Sequence, residues 1–243
     1  MTAHDLQLGK RLARIARALS RELAAVKPGA GVACTYDPID YGWKAHAAYL
    51  ALARPSPRAL LLGMNPGPFG MVQTGVPFGE VQAAREFLGI DRGVRVPREQ
   101  HPKRPVLGFA CTRSEVSGRR FWGLMRDEFG TAARFFRAGF VWNWCPLAFT
   151  APSGANVTPD KLPAKARATI ETACDRALAH VVAALQPRMV IGVGAFARTC
   201  ATRALGDRLP VHTVLHPSPA SPAANRGWDL AARAQLRACG FLP

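Results

Sequence analysis

ALLLGMNPGPFG, residues 59–70, runs from an unbroken apolar stretch into a loop where glycine and proline alternate. Residues 59–62 are too few for a helix. Continuous rather than alternating apolar character suits a strand covered on both faces, as in a parallel sheet. Residues 140–142, 189–193 and 211–215 read the same way. Helical patterns separate these runs. Residues 80–88 stop at Gly89. Residues 119–129 lie between Ser117, a candidate N-cap, and Gly130. Residues 163–185 open on a proline suited to a first turn, residues 195–205 stop at Gly206, and residues 228–239 stop at Gly240. Ahead of them, residues 5–26 carry Leu8, Leu12, Ile15, Leu19 and Leu23 at helical spacing, with Arg and Lys between. Strands alternating with helices predict an α/β fold with a four-stranded, mainly parallel sheet. The segment through Asp40 and Trp43 has no clear pattern. Residues 89–118, with Pro97, Pro102 and Pro105, read as a loop-like insertion. With no repeat or low-complexity linker, residues 1–243 read as a single domain with an N-terminal helix at about 5–26.

In open α/β sheets the ligand site lies beyond the carboxyl ends of the strands. The first run leads into Met64 and Asn65, then Pro66-Gly67-Pro68-Phe69-Gly70. The second ends at Asn143. The fourth leads into His216-Pro217-Ser218-Pro219. Two asparagines and a histidine should therefore converge on one sheet edge. The Pro/Gly loop between them follows a rigid path with backbone N–H groups bared, suited to an anion or a planar polar ring. After the third run, Gly192-Val193-Gly194-Ala195-Phe196-Ala197 fits the dinucleotide pattern G-x-G-x-x-A. The acidic residue expected at the end of the next strand is missing. Tight strand–helix packing explains these glycines better, so no nucleotide cofactor is expected.

Composition narrows the partners. At 49% hydrophobic and 20% charged residues, the chain is that of a folded protein, not a disordered one. No apolar run reaches the ~18 residues of a membrane span. Thirty-two Lys and Arg against sixteen Asp and Glu give a net charge of +16. Such a surface attracts polyanions, most obviously nucleic-acid phosphates. Six scattered cysteines form no C-x-x-C pair, so zinc and iron–sulfur centres find no support and free thiols are expected. Together with the lack of a signal-peptide core, this predicts an intracellular protein, cytoplasmic in a bacterium or nuclear in a eukaryote.

GMNPGPFGM at 63–71, QTGVPFGEV at 73–81 and HPSP at 216–219 resemble motifs of the single-strand-selective monofunctional uracil-DNA glycosylases. HPKRPVLG at 101–108, SEVSG at 114–118 and APSG at 151–154 are similar to that family as well. The resemblance runs from about residue 60 to the C-terminus, and the first motif is the most specific. It implies a three-layer αβα, uracil-DNA glycosylase-like domain. The implied partner is DNA containing uracil or oxidised or deaminated bases, and the implied protein is a monomer with no cofactor.

The resemblance also implies roles. Asn143 would read the base, accepting from N3–H and donating to O4, a pattern that cytosine reverses. Each such buried mismatch costs ~1–3 kcal/mol. Phe78 would stack on the base. His216 would hydrogen-bond O2 as charge builds there, with a neutral or a charged ring. Asn65 would position water for a dissociative hydrolysis. Met64 and Gly67 would complete the pocket, Gly67 leaving room at C5 for water or a polar substituent such as that of 5-hydroxymethyluracil. The motifs contain no Schiff-base lysine, so a strand-cleaving lyase step is not expected. Pro217, Ser218, Pro219, Ala220 and Ser221 would form a stiff DNA-probing loop, with Ser218 and Arg226 on phosphates. The family often carries Arg-Asn where this chain has Ala220-Ser221, so a DNA-wedging side chain is lost. Three rival readings remain: a glycosylase favouring deaminated purines such as xanthine, a nucleic-acid-binding protein without catalysis, and a Rossmann-type dehydrogenase.

Overall fold

The computed structural model describes residues 3–243. Its strands are β1 (Cys34–Tyr36), β2 (Ala59–Gly63), β3 (Gly139–Asn143), β4 (Ala148–Thr150), β5 (Asn156–Val157), β6 (Met189–Val193) and β7 (Val211–Val214). The four runs read as strands do form one parallel sheet, in the order β3-β2-β6-β7. Every residue of β2 and β3 is buried, so both sheet faces are covered, as in a three-layer α/β domain. The core is continuous through Leu60, Leu61, Phe140, Val141, Val190 and Ile191.

The helices are α1 (Ala3–Leu23), α2 (Pro38–Tyr41), α3 (Trp43–Leu50), α4 (Met71–Thr74), α5 (Val81–Glu86), α6 (Val116–Phe129), α7 (Ala132–Ala138), α8 (Ala164–Leu185), α9 (Ala195–Leu205), α10 (Pro222–Asn225) and α11 (Trp228–Ala238). α1 buries Leu8, Leu12, Leu19 and Leu23 and packs on α8, which packs on α9. α6 packs with α5, α7 and α11.

Several expectations need correction. α6 begins at Val116, not at residue 119, and Ser117 lies in its first turn rather than capping it. The helix can continue through Gly118 because that glycine lets the chain pass the Phe78 carbonyl, which a Cβ would strike. The unassigned segment after α1 contains β1, α2 and α3, and it protects the edge of the main sheet. The Tyr49 hydroxyl on α3 donates to the Val141 carbonyl at 2.8 Å and accepts from the Val141 N–H at 3.2 Å. That satisfies an edge strand that would otherwise be bare. A second, antiparallel sheet, β1-β4-β5, was not anticipated, because strands of two or three residues leave no period to read.

The G-x-G-x-x-A segment behaves as packing requires. A Cβ on Gly192 would overlap the Arg198 backbone, and Gly194 has φ +94°. Residues 89–118 contain little regular structure, but they are tied down. The Gln73 side chain accepts from Leu107 N at 2.8 Å and donates to the Pro105 carbonyl at 3.1 Å.

Candidate active site

The register of the sheet sets the site. Gly63 and Asn143 are direct partners at the ends of β2 and β3. Beyond them Trp144 N donates to the Gly63 carbonyl and Cys145 N to the Met64 carbonyl, both at 2.9 Å. The Pro/Gly loop therefore starts beside Asn143. Gly63 must be glycine here, since a Cβ would overlap the Asn143 Oδ1 atom and lie 2.8 Å from the Phe78 ring. The absent side chain is what lets amide and ring share one wall.

A cleft of about 630 Å³ opens at this edge. Met64, Asn65, Gly67, Phe78, Asn143, His216, Ser218 and Pro219 all line it. The three side chains expected to converge, Asn65, Asn143 and His216, thus meet in one place. Asn143 is buried, and its Nδ2 donates to the Met71 Sδ at 3.2 Å. This holds the amide in one orientation, which nothing in the sequence indicated. The Asn65 Nδ2 donates to the Leu147 carbonyl at 3.4 Å, leaving Oδ1 as an acceptor.

Phe78 has φ +52°, in the left-handed region that non-glycine residues rarely adopt. One face of its ring stacks on Phe121, with centroids 4.7 Å apart and planes at 18°. The His216 ring lies 6.2 Å away. The strained turn is held by Trp122 Nε1, which donates to the Pro77 carbonyl at 3.1 Å.

His216 can be assigned a tautomer. The Ser218 N–H donates to its Nδ1 at 3.1 Å, so in the neutral ring the proton sits on Nε2. Burial pushes its pKa down to about 4, so the ring is neutral at physiological pH. Between a charged and a neutral donor, the geometry selects the neutral one.

The probing segment divides. Ser218 and Pro219 line the cleft. The Pro217 carbonyl accepts from Arg120 at 3.1 Å. Ala220 N donates to the Ser218 hydroxyl, and the Ser221 side chain caps α10 by accepting from Ala224 N. Arg226 is exposed at the end of α10, outside the cleft lining.

The Glu115 carboxyl stands over Gly67 and Gly70, where a Cβ on either would run into it, while Gly67 still lines the cleft. Glu115 fills that wall and accepts from Phe69 N at 3.2 Å. Burial pushes its pKa up to about 7, the Phe69 and Gly70 N–H groups pull it back, and the Glu80 charge adds to the rise. The sequence offered only its place within SEVSG, with no spacing that aimed it at the pocket. Phe69 was also missed. It lines the cleft with Arg113 4.0 Å and Arg104 5.4 Å from its ring centre.

Comparison with known proteins identifies the family. The family described as the uracil DNA glycosylase superfamily matches residues 50–236. The chain belongs to that superfamily. It is 51% identical over 229 residues to the single-strand selective monofunctional uracil-DNA glycosylase of Rattus norvegicus, covering 93% of this chain and 82% of the rat protein. The Bos taurus protein of the same description is 49% identical, with 93% and 84% covered. The crystal structure of Pedobacter heparinus SMUG2 superposes with a TM-score of 0.64 at 15% identity, covering 92% of this chain and 96% of that one. At that identity it supports the fold alone. The glycosylase architecture therefore frames the cleft just described.

Proposed function

We propose that this glycosylase acts in DNA repair by hydrolysing the N-glycosidic bond of uracil, on a nucleotide turned out of the base stack into the cleft. The observation that carries the reading is the meeting of Asn65, Asn143, Phe78 and His216 around one cleft at the sheet edge. The base lies on the free face of Phe78. Asn143 Oδ1 accepts from N3–H, and the Nδ2 hydrogen not given to Met71 is offered to O4. The His216 Nε2–H donates to O2 and strengthens as negative charge gathers there, so the charge is stabilised without a proton transfer. The C1′–N1 bond breaks with its electron pair leaving on the base. A water held by the Asn65 Oδ1 then adds to C1′ of the cationic sugar and loses a proton to solvent, and the departed uracil anion takes up one proton from solvent. An asparagine is no carboxylate base, so bond breaking runs ahead of attack.

With N1 at the mouth, O2 at His216 and N3/O4 at Asn143, the remaining C5 edge faces the Gly67 backbone and Glu115. That wall is polar. It suits 5-substituted uracils that carry a hydrogen-bond donor, 5-hydroxymethyluracil among them, and gives thymine's methyl group nothing. Uracil and oxidised pyrimidines in DNA are the substrates in this reading, and the protein works as a monomer.

The direct test is release of free base from a uracil-containing single strand. Asn65→Ala should slow single-turnover release at least tenfold while DNA binding changes little. A folded variant with near-normal turnover removes Asn65 from the water-placing role.

A further inference from the structure

A second cleft, of about 770 Å³, lies between α1, the α2–α3 corner and the loop at Gly93–Arg95, and shares no residue with the first. Its chemistry differs from the active site. Arg17, Arg21, Lys44 and Arg95 line it, against one carboxylate, Asp40. Asp40 approaches only Arg95, at 3.8 Å, and both are well exposed, so that pair is weak. Among the described residues, no carboxylate lies within ion-pair distance of Arg17, Arg21 or Lys44.

Two further features make this a built surface rather than scattered charge. First, Arg17 and Arg21 belong to a row with Lys10 and Arg14 on α1. Spacings of four, three and four residues place all four within roughly 60° of helix arc, and all four are exposed. Leu8, Leu12, Leu19 and Leu23 of α1 occupy the opposite, buried side. Second, the walls are fixed. Arg95 N donates to the Tyr41 carbonyl at 2.9 Å, and Gly93, at φ +101°, packs so closely that a Cβ would lie 2.8 Å from Ala45 N. The Arg17 guanidinium lies 3.9 Å from the centre of the Trp43 ring. That contact restrains a side chain that would otherwise lose its freedom on binding.

We propose that this basic cleft is a second nucleic-acid site, which holds the phosphates of a single strand outside the catalytic pocket. Charge complementarity argues for it. Row and cleft together give a cationic track of the kind that follows a single strand's backbone without reading sequence, with Trp43 holding Arg17 in place. The proposal does not depend on which base the catalytic pocket accepts.

The test uses two double variants of the full chain, Arg17→Ala with Arg21→Ala, and Lys44→Gln with Arg95→Gln, each checked for an unchanged melting temperature. The probe is a uracil-free single strand longer than ~16 nucleotides, the upper site size of a typical single-strand groove. Each variant should bind it at least fivefold more weakly, and the slope of log affinity on log salt should become shallower by ~0.7 per lost contact. Base release from a uracil oligonucleotide too short to reach the cleft should be unchanged at saturation. Wild-type affinity and slope in both variants would overturn the proposal. So would an equal loss of activity on the short oligonucleotide, since the cleft would then be acting through the catalytic pocket.

Discussion

In the proposed reading Asn143 carries the choice of base, and its surroundings suggest how. A buried amide with one hydrogen committed to the Met71 sulfur presents one acceptor and one donor in fixed order. Asn143→Asp destroys that order. An ionised carboxylate faces O4 unfavourably yet accepts from a cytosine amino group. We expect single-turnover uracil release to fall at least tenfold, with either a gain on cytosine or no activity. Wild-type uracil activity with cytosine still ignored would reassign base reading to the Gly63–Gly70 backbone. Glu115 should add a pH dependence, whose sign follows from its raised pKa. Its carboxyl, ordinarily ionised above about 4.5, stays protonated to about 7 because it is buried. Above that it becomes a full acceptor for a hydroxyl at C5 and a repulsive neighbour for a departing uracil anion. The groups around it are Glu80, Arg113 and, across the cleft, His216, which is neutral above about 4. The ratio of 5-hydroxymethyluracil to uracil release should therefore rise with pH through about 7. Glu115→Gln should flatten that rise, and a rise that survives the substitution would clear Glu115 of the effect. Asn65, Asn143 and His216 were legible because each lies at or just beyond the end of a readable strand. Glu115 was not, because it precedes a helix at the end of a long irregular segment.

At the scale of elements, strand ends and glycines do the positioning. β2 and β3 deliver Gly63 and Asn143 side by side, and α6 supplies both Phe121 under Phe78 and the close pass at Gly118. Two effects compete in Gly118→Ala. Removing a helical glycine favours folding by ~0.5–1 kcal/mol. A Cβ overlapping the Phe78 carbonyl costs ~1–3 kcal/mol, because backbone cannot swing aside as a side-chain tip can. The clash should win. A net loss of ~1 kcal/mol lowers the melting temperature by roughly 2–4 °C in a chain of this size, and the shifted Phe78 should weaken base release as well. A variant that melts higher and works normally would mean that α6 slides freely past the Phe78 turn. The periodic elements were readable because each buries one stripe or a whole short run. β1 was not, since its pairing is set by a distant partner, Cys34 with Thr150. β4 and β5, a local hairpin pairing Phe149 with Val157, are too short to show a pattern. α7, capped by Thr131, follows α6 so closely that Gly130 read as a stop with nothing beyond.

For the molecule as a whole, net charge decides how it meets DNA. The net charge of +16 on 243 residues persists however the ion pairs are drawn, since each pair cancels one cation against one anion, and part of the surplus is arranged. Arg104 and Arg113 flank Phe69 at the catalytic cleft, while the α1 row and the second cleft carry another group. Each cation that meets a phosphate releases a condensed counterion, so affinity should fall linearly in log–log form with salt. Neutralising ~6–10 phosphates costs about 10³–10⁵ in affinity between about 50 and 200 mM salt. Single strands release fewer ions per contact, with a slope near 0.7 per phosphate against 0.9 for duplex. If, as proposed, the base is flipped and the loop at Ala220-Ser221 brings no wedging side chain, most of the binding should come from this backbone term. Titration of labelled single-stranded and duplex DNA over that salt range should therefore give steep lines for both, with the chemical step at saturation nearly independent of salt. An affinity flat across the range would contradict the electrostatic account of binding. Base selection in the pocket would stand, since it rests on uncharged groups, Asn143 and a neutral His216, that salt does not screen.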